Sequence, residues 1–380
     1  MTTSATASVL TTGGQQSAAG TGGAPVRRAT GWYRLRVSQV ERVGERTVAI
    51  TLEVPDRWVD VFAHRPGQHV AVRHLRGGNE LRRSYSLCLP PGASAGIRLV
   101  VKCLGPGGFG DFATSTLSAG DHLELAPPSG DFRLAEAPAA HHVLVAGGSG
   151  ITPLLSMAVA ALRSDPGCRV SLLYANRTAQ SVLLADELAD LKDAYVDRFF
   201  VLHVLSRESQ GSELLSGRID VERLPGLLRL LGATPEDASH FYLCGPWGLV
   251  ETVQTALAQW GAAPERVRFE LFTTGGAPQA PPEEPLGRTG RITARLGGRT
   301  TQAVMLAEDR VVLDAVLRAR PETPYSCRDG LCGSCRAKVT GGSVLMGRQY
   351  ALGPAETSAG YTLTCRARPE SDEVSLDFDA

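Results

Sequence analysis

Four cysteines near the C-terminal end of the chain are the residues whose types and spacing most directly predict a chemistry. Cys327, Cys332 and Cys335 form a Cys-x4-Cys-x2-Cys run, and Cys365 follows 30 positions later. Three thiolates on one loop and a fourth from a distant strand match the ligand spacing of a plant-type [2Fe–2S] cluster. The sequence therefore predicts these four residues as iron ligands.

Two other uses of clustered cysteines compete with this interpretation. A structural zinc site also takes four cysteines, but zinc ribbons usually carry two Cys-x2-Cys pairs, whereas this segment has one. A thioredoxin-like pair would leave Cys327 and Cys365 without a role. Gly330 and Gly333 lie inside the loop, where glycine lets backbone N–H groups approach the sulfurs, and this favours the [2Fe–2S] interpretation.

A glycine-rich turn in the middle of the chain predicts a phosphate site. The sequence VAGGSGITP places Gly148 and Gly150 after an apolar, strand-like run, and Pro153 in the first turn of a helical pattern. Glycines permit the close approach of a pyrophosphate, and the N–H groups at a helix start attract it. The turn departs from the G-x-G-x-x-G pattern, and turns of this kind also serve packing alone.

Three motifs, in order, give residues 32–272 a resemblance to the ferredoxin–NADP reductase family. They are LRRSYSL (Leu81 to Leu87), the glycine turn above, and FYLCGPWGLVE (Phe241 to Glu251). In that family a β-barrel holds flavin and an α/β domain holds the nicotinamide nucleotide. The last domain resembles the plant-type ferredoxins, which have a β-grasp fold, although its acidic and basic residues are nearly balanced.

The resemblance implies roles for the matching residues. Arg83 would hold a flavin phosphate, Tyr85 would pack on the isoalloxazine ring, and Ser86 would hydrogen-bond near the reactive flavin nitrogen. Ser86 and Cys244, which would lie against the nicotinamide, are the implied catalytic residues. Without the motifs, Arg83 would be a surface cation, Tyr85 a barrel core residue and Cys244 an inert buried thiol. The implied cofactor-binding residues are Arg83, Ser84, Tyr85, Ser86, Gly107, Gly108, Gly148, Gly150, Thr152, Ser206, Arg207, Cys244 and Gly245.

The choice of nucleotide is implied by a second loop of the α/β domain. In the family, Ser206 and Arg207, within HVLSRES, would hold the 2′-phosphate of NADPH, with Arg177 assisting. The alternative is a surface arginine that faces water. Glu270 and Phe272, within RFELF, would close the outer face of the flavin.

One departure from the family pattern weakens the flavin assignment. Where the family has Ser or Thr after the paired glycines, this chain has Gly110 and Asp111. An anion beside a diphosphate is unfavourable unless Asp111 turns away or caps the helix. The departure supports a non-enzyme alternative, an iron–sulfur electron carrier or redox sensor with a degenerate flavin site.

The elements that would position these residues fall into three folded units, so the fold class is multidomain. Residues 32–132 are rich in short strand-like runs cut by glycine turns, which predicts an antiparallel β-barrel. From His141 strands alternate with helices, which predicts a Rossmann-like parallel α/β domain. The predicted units are a disordered tail (1–31), an FAD-binding barrel (32–137), an NAD(P)-binding domain (138–272), a linker (273–290) and a ferredoxin-type β-grasp domain (291–380).

Composition excludes several classes of protein. The 39 basic and 39 acidic residues balance, which argues against a nucleic-acid binder. The N-terminal residues lack the apolar core of a signal peptide. The uncharged stretch Val143 to Leu162 contains three glycines and a proline, which suit a strand, a turn and a helix better than a membrane span. We therefore expect a cytoplasmic protein without a membrane span.

The order of the domains predicts the route of electrons. Nicotinamide nucleotides deliver two electrons as hydride, a cluster accepts one, and flavin can exchange either number. We therefore expect NADPH to reduce FAD, FAD to reduce the [2Fe–2S] cluster, and the cluster to reduce a partner. The architecture resembles reductase components of bacterial multicomponent oxygenases, above all those of the phenylacetyl-CoA epoxidase type. The alternative is an NADH-dependent, FMN-type reductase of a ring-hydroxylating dioxygenase, steroid hydroxylase or desaturase, because the oxygenase or desaturase component sets the substrate.

Overall fold

The computed structural model describes residues 31–88, 96–234, 239–273 and 289–380. Nearly all of the predicted disordered tail and of the predicted linker lies outside the described residues. The described chain forms an antiparallel sheet, then a parallel sheet flanked by helices, then a small mixed sheet. The fold class predicted from the sequence is therefore confirmed.

The first unit is a six-stranded antiparallel barrel with strand order β4-β3-β6-β1-β2-β5. Alternating side chains such as Leu35 and Val37 point into its core. The end of β4 returns to β5 through the bridge between Leu87 and Leu99, which closes the sheet. Its elements are β1 (Tyr33–Gly44), β2 (Thr47–Glu53), α1 (Val59–Phe62), β3 (His69–Arg76), β4 (Asn79–Ser86), β5 (Gly96–Lys102), α2 (Phe109–Ser115) and β6 (His122–Leu125).

The second unit is a five-stranded parallel sheet in the order β11-β10-β7-β8-β9. Its strands are apolar along most of their length because helices cover both faces. The strand order reverses between β7 and β10, where open α/β sheets bind ligands. The elements are β7 (His141–Gly147), α3 (Ile151–Ser164), β8 (Arg169–Asn176), α4 (Ala185–Ala194), β9 (Phe199–Leu205), α5 (Leu224–Leu230), β10 (His240–Pro246), α6 (Trp247–Trp260) and β11 (Val267–Thr273).

The third unit is a five-stranded sheet, β13-β12-β18-β14-β16, beside a two-stranded sheet of β15 and β17. Helix α7 buries Val312 and Val316 against the larger sheet, as a β-grasp fold requires. The elements are β12 (Gly290–Leu296), β13 (Arg299–Met305), α7 (Val312–Ala319), β14 (Arg336–Gly341), β15 (Val344–Met346), α8 (Pro354–Ser358), β16 (Tyr361–Leu363), β17 (Ala367–Pro369) and β18 (Glu373–Asp377).

The apolar stretch from Val143 to Leu162 becomes most of β7, the glycine turn and most of α3. The glycines end the strand, and the proline lies in the first turn of the helix. Among the described residues, no helix is both long enough and apolar enough to cross a membrane.

The third unit packs against both of the others. The rings of Trp247, at the start of α6, and Tyr350 meet edge to face with centroids 4.8 Å apart. Leu331, from the cysteine loop, joins the same apolar cluster. On the barrel side, the Nε2 atom of His69 lies 3.3 Å from the Oγ of Ser334. The cysteine loop is therefore held at the junction of the three units.

Candidate active site

Strand β4 presents the motif Arg83-Ser84-Tyr85-Ser86 to a cavity of about 470 Å³. All four residues line this cavity, which lies between the barrel and the end of the parallel sheet. The Oγ of Ser84 is buried and has no hydrogen-bond partner among the described residues. A buried hydroxyl without a partner costs free energy, so a polar ligand group in the cavity would satisfy it. The motif therefore fits a bound flavin.

Tyr85 provides an apolar wall of the cavity. Its ring packs beside that of Phe109, with centroids 5.5 Å apart. Burial raises the pKa of the Tyr85 hydroxyl above its ordinary value, so the side chain stays neutral. A neutral aromatic ring at this position suits contact with a flat ring system.

Ser86, Glu270 and His69 form a line of polar groups at the cavity. Sequence analysis named Ser86 and Glu270 but not His69. The Ser86 hydroxyl donates to Glu270 Oε2 at 3.2 Å, and Glu270 Oε1 lies 3.3 Å from the Nδ1 atom of His69. Burial alone would lower the pKa of His69, but the negative groups around it, Glu270 foremost, together raise that pKa above its ordinary value. The sequence carried no signal for His69, because its partners come from three separate units.

The glycine loop before α2 supplies the opposite side of the cavity. Gly108 and Gly110 line it, while Gly107, with φ +83°, makes the turn. The Asp111 carboxylate accepts the N–H of Gly107 at 2.9 Å, which ties it to its own loop. The N-cap of α2 is Gly108, and among the described residues no side-chain hydrogen bond caps this helix, so the predicted helix-capping role of Asp111 is wrong.

The glycine turn after β7 packs directly on the end of β10. A Cβ on Gly150 would lie 2.1 Å from the Cys244 carbonyl oxygen, so only glycine fits there. Gly148 has φ +53° and open space around it. Thr152 lines the flavin cavity and donates its hydroxyl to the Ser149 carbonyl at 3.1 Å. The turn thus contributes Ser149 and Thr152 to the cavity wall.

Cys244 lies behind the cavity and not on its wall. Its side chain is fully buried, and its backbone pairs with that of Glu270. Burial, reinforced by the Glu270 charge, raises the pKa of the Cys244 thiol well above its ordinary value, so the thiol is neutral. Gly245, with φ +157°, lies close against Gly147. Contact of Cys244 with nicotinamide stays a prediction.

Ser206 and Arg207 follow β9, and Arg177 follows β8, at the same edge of the parallel sheet. The N–H of Ser206 donates to the Asn176 carbonyl at 2.9 Å, and the N–H of Arg207 to the Arg177 carbonyl at 2.8 Å. Both arginine side chains are exposed. The structure therefore brings the two predicted cations together at one edge, apart from the residues that line the flavin cavity.

The four cysteines of the third unit form two close pairs. The thiol of Cys327 interacts most strongly with that of Cys332, and the thiol of Cys365 with that of Cys335. No three His, Cys, Asp or Glu side chains of the described residues converge as ligands of one metal ion. Two thiol pairs are the donor set of a cluster with two irons, each bound by two cysteines.

The cysteine loop has the backbone expected of an iron–sulfur site. The N–H groups of Asp329 and Leu331 both point to the Sγ of Cys327 at 3.4 Å. Gly330 and Gly333 have φ of +72° and +66°, which bends the loop around the sulfurs. The paired thiols and burial raise the pKa of Cys327 well above its ordinary value, and bound iron would supply the compensating positive charge.

The cysteine loop and the flavin motif share one cavity. Cys327, Leu331 and Cys332 line the same space as Arg83 and Tyr85. The fold and the site together define a class of protein, an oxidoreductase whose flavin-type pocket opens on an iron–sulfur loop beside a nucleotide-binding sheet.

Comparisons with known proteins agree with this class. Residues 34–134 match the oxidoreductase FAD-binding domain, residues 144–255 the oxidoreductase NAD-binding domain, and residues 296–370 the 2Fe-2S iron-sulfur cluster binding domain. The chain is 36% identical to one of the subunits of the 1,2-phenylacetyl-CoA epoxidase of Escherichia coli, over 92% of this chain and 99% of that protein.

Two further matches also span nearly the whole chain. The ferredoxin reductase component of 3-ketosteroid-9-alpha-monooxygenase from Rhodococcus rhodochrous is 33% identical, over 90% of this chain and 96% of its own length. The solved structure of phthalate dioxygenase reductase aligns with a TM-score of 0.55 and 26% identity, over 92% of this chain and 98% of that one. The chain therefore belongs to the family of flavin and [2Fe–2S] reductase components that transfer electrons to oxygenases.

Proposed function

We propose that this protein oxidises NADPH and supplies electrons, through FAD and its own [2Fe–2S] cluster, to an oxygenase component of the phenylacetyl-CoA epoxidase type. The observation that carries the proposal is the shared cavity, in which the flavin motif of β4 faces Cys327 and Cys332. When bound, FAD converts the two electrons of a hydride into the single electrons that a cluster accepts. A cytoplasmic location goes with this proposal, because thiols stay reduced there.

The residues of the chain have defined tasks in this scheme. Arg83 lines the cavity as a cation for a flavin phosphate, and Tyr85 supplies the ring wall. Ser86 is held by Glu270, which fixes its hydroxyl at the cavity wall. Thr152 and the glycine turn bring the nucleotide sheet to the same cavity. In this scheme these residues bind and orient the flavin. They also exclude water from the space between the flavin and the cluster loop.

The preference for NADPH is supported by Arg177 and Arg207. Their backbones are joined by a hydrogen bond, and both side chains are exposed at the sheet edge. A guanidinium can bind phosphate with two hydrogen bonds, each worth about 1.5–3 kcal/mol when charged. The neighbouring Glu208 carboxylate accepts the N–H of Ala179 at 3.0 Å, so it is held by the loop backbone.

The oxygenase partner is proposed from the relatives. The phenylacetyl-CoA epoxidase protein is 36% identical and the 3-ketosteroid monooxygenase component 33% identical, so the first is the preferred partner type and the second is the alternative. The electron-carrier alternative, without functional flavin, is disfavoured because residues 34–134 match the oxidoreductase FAD-binding domain.

The test is a pair of ligand variants, Cys332→Ser and Cys365→Ser. We expect both to lose most of their iron and sulfide and to keep flavin, because the sites lie on separate folded units. With NADPH, both should still reduce ferricyanide, a small acceptor that can reach flavin, and neither should support turnover by a phenylacetyl-CoA epoxidase oxygenase.

Two controls make the result decisive. Cys168→Ser changes a buried cysteine of the nucleotide domain, far along the chain from the cluster loop, and should keep its iron. An oxygenase of the 3-ketosteroid type, assayed in parallel, separates the two proposed partners. Undiminished iron in both ligand variants, or oxygenase turnover without iron, would contradict the proposal.

A further inference from the structure

Strand β4 carries two consecutive arginines with different surroundings. Arg83 lines the flavin cavity, whereas Arg82 lines a neighbouring cavity together with Trp32 and Tyr325. Arg82 is nevertheless only 6% exposed. A buried arginine needs partners for its donors, because an unpaired buried charge is strongly destabilising.

The partners of Arg82 belong largely to the ferredoxin domain. Its Nη1 donates to the Thr323 carbonyl and its Nη2 to the Pro321 carbonyl, both at 3.2 Å. Its guanidinium also lies over the ring of Tyr325, 4.0 Å from the ring centroid. Within the barrel, it lies 4.7 Å from the centroid of Trp32. Arg82 is thus enclosed by two aromatic rings, one from each domain.

The segment that Arg82 binds leads directly into the cluster loop. Thr323 and Tyr325 precede the first cluster cysteine, Cys327, by four and two residues. Thr323 is fully buried, and its hydroxyl and its N–H both donate to the Arg320 carbonyl, so its own domain presents its carbonyl to Arg82. We propose that Arg82 is the positioning residue that docks the ferredoxin domain, holding the cluster loop against the flavin cavity for electron transfer within the chain.

The chemistry of this contact suits a reversible dock. Two backbone carbonyls and a stacked ring hold the guanidinium, and all of these groups can be hydrated when the domains separate. The Nε of Arg82 donates a 2.5 Å hydrogen bond to the carboxylate of Glu80, which lies on the same strand. The guanidinium charge therefore keeps an anionic partner when the domains separate. A purely apolar contact would instead expose hydrophobic surface when the two domains separate. The dock can therefore open for an external partner.

The inference rests on the proposed route from flavin to cluster, and its test measures the steps separately. In rapid mixing with NADPH, absorbance reports flavin reduction and then cluster reduction. We expect Arg82→Lys, Arg82→Gln and Arg82→Glu to reduce flavin at the wild-type rate. Cluster reduction should slow in that order, by roughly tenfold or more for Arg82→Glu, because its rate follows the docked fraction.

Arg73→Gln is the matched control. Arg73 shares Glu80 and Trp32 with Arg82, at 3.6 Å and 4.8 Å, and pairs with Glu124 at 2.9 Å. These partners all lie in the barrel, so the variant removes a neighbouring cation without removing a contact to the ferredoxin domain. We expect near wild-type cluster reduction in this variant.

A second pair of variants tests the same dock from the ferredoxin side. Tyr325→Phe keeps the ring over Arg82 and loses only the 3.5 Å hydrogen bond of the hydroxyl to Glu80, so it should stay close to wild type. Tyr325→Leu should slow cluster reduction more, with iron content unchanged in both variants. Small-angle X-ray scattering provides a readout independent of activity, and Arg82→Glu should increase the radius of gyration of the full chain.

The outcomes separate the two proposals. If the wild-type cluster is not reduced by NADPH, the proposed electron route fails. If the wild-type cluster is reduced, but Arg82→Glu and Tyr325→Leu reduce it equally fast and scatter as compactly, the docking role of Arg82 is wrong. If Arg82→Glu loses its flavin, the docking role is judged from the Tyr325 variants instead. Slower cluster reduction in Tyr325→Leu than in Tyr325→Phe supports it, and equal rates contradict it.

Discussion

Gly150→Ala offers a sharp test of how the glycine turn positions the nucleotide site. The backbone of Gly150 is ordinary for any residue, with φ −62°, so the conformation itself costs nothing on substitution. The added Cβ would lie 2.1 Å from the Cys244 carbonyl oxygen and 2.4 Å from its carbon, whereas real Cβ atoms essentially never approach closer than 3.0 Å. The turn must therefore move away from β10 by about 1 Å.

The matched control is Gly148→Ala, two residues earlier. A Cβ there meets nothing within 4 Å, but φ of +53° is left-handed and costs an L-residue about 1–2 kcal/mol. The added Cβ at Gly150 overpacks against backbone and should lower the free energy of unfolding by about 3 kcal/mol, at the upper end for such substitutions. The two variants thus separate a steric cost from a conformational cost in one turn.

The assay is thermal melting together with the KM for NADPH. At about 2–4 °C per kcal/mol, Gly150→Ala should melt roughly 6–12 °C below wild type and Gly148→Ala roughly 2–8 °C below it. The KM should rise more for Gly150→Ala, because the displaced turn carries Ser149 and Thr152 away from the cavity wall. If Gly150→Ala melts with wild type, or above Gly148→Ala, the close packing of this turn on Cys244 is refuted.

Three further predictions follow from other parts of the chain. Arg207→Ala should weaken the apparent affinity for NADPH roughly tenfold in steady-state kinetics and leave that for NADH nearly unchanged. An equal loss of affinity for both nucleotides would exclude a role of Arg207 in binding the 2′-phosphate. A chain truncated near Gly275 should keep NADPH–ferricyanide activity and lose most transfer to the oxygenase; undiminished transfer would contradict the electron route. Burial, then the neighbouring His240, lowers the pKa of His142 from 6.5 to about 4, so the folded state disfavours its protonation. Stability should therefore fall as pH drops from about 6.5 to 4, by up to about 3 kcal/mol, and His142→Leu should flatten this dependence in urea melts; an equally steep fall in the variant would count against it.

Much of the architecture could be predicted because its signals are local. Strand and helix periodicity, glycine turns and the spacing of Cys327, Cys332 and Cys335 lie within short segments, where geometry follows from neighbouring residues. The helix pattern after Gly150 and the strands on either side of it are present in the structure as predicted. The fourth cysteine, Cys365, was identified because a plant-type cluster demands one more thiolate after a long gap.

The contacts between domains were beyond sequence reasoning. His69 meets Ser334 across 265 positions, and Arg82 meets Thr323 across 241. Neither pair has a spacing rule, because such contacts depend on how two finished surfaces fit together. The burial of Cys244 behind the cavity wall is of the same kind, since it follows from packing of the glycine turn on β10.

The three kinds of folded unit could thus be predicted from the amino acids alone, and the cluster ligands and cofactor motifs could be proposed from them, since each is encoded within a segment or a family pattern. Folding of the whole chain was needed to bring the flavin motif and the cysteine loop to one cavity, to tie Asp111 to the N–H of Gly107, and to carry Arg82 to the ferredoxin domain. These features depend on side-chain direction and on domain packing, which are fixed only when distant surfaces exclude water together.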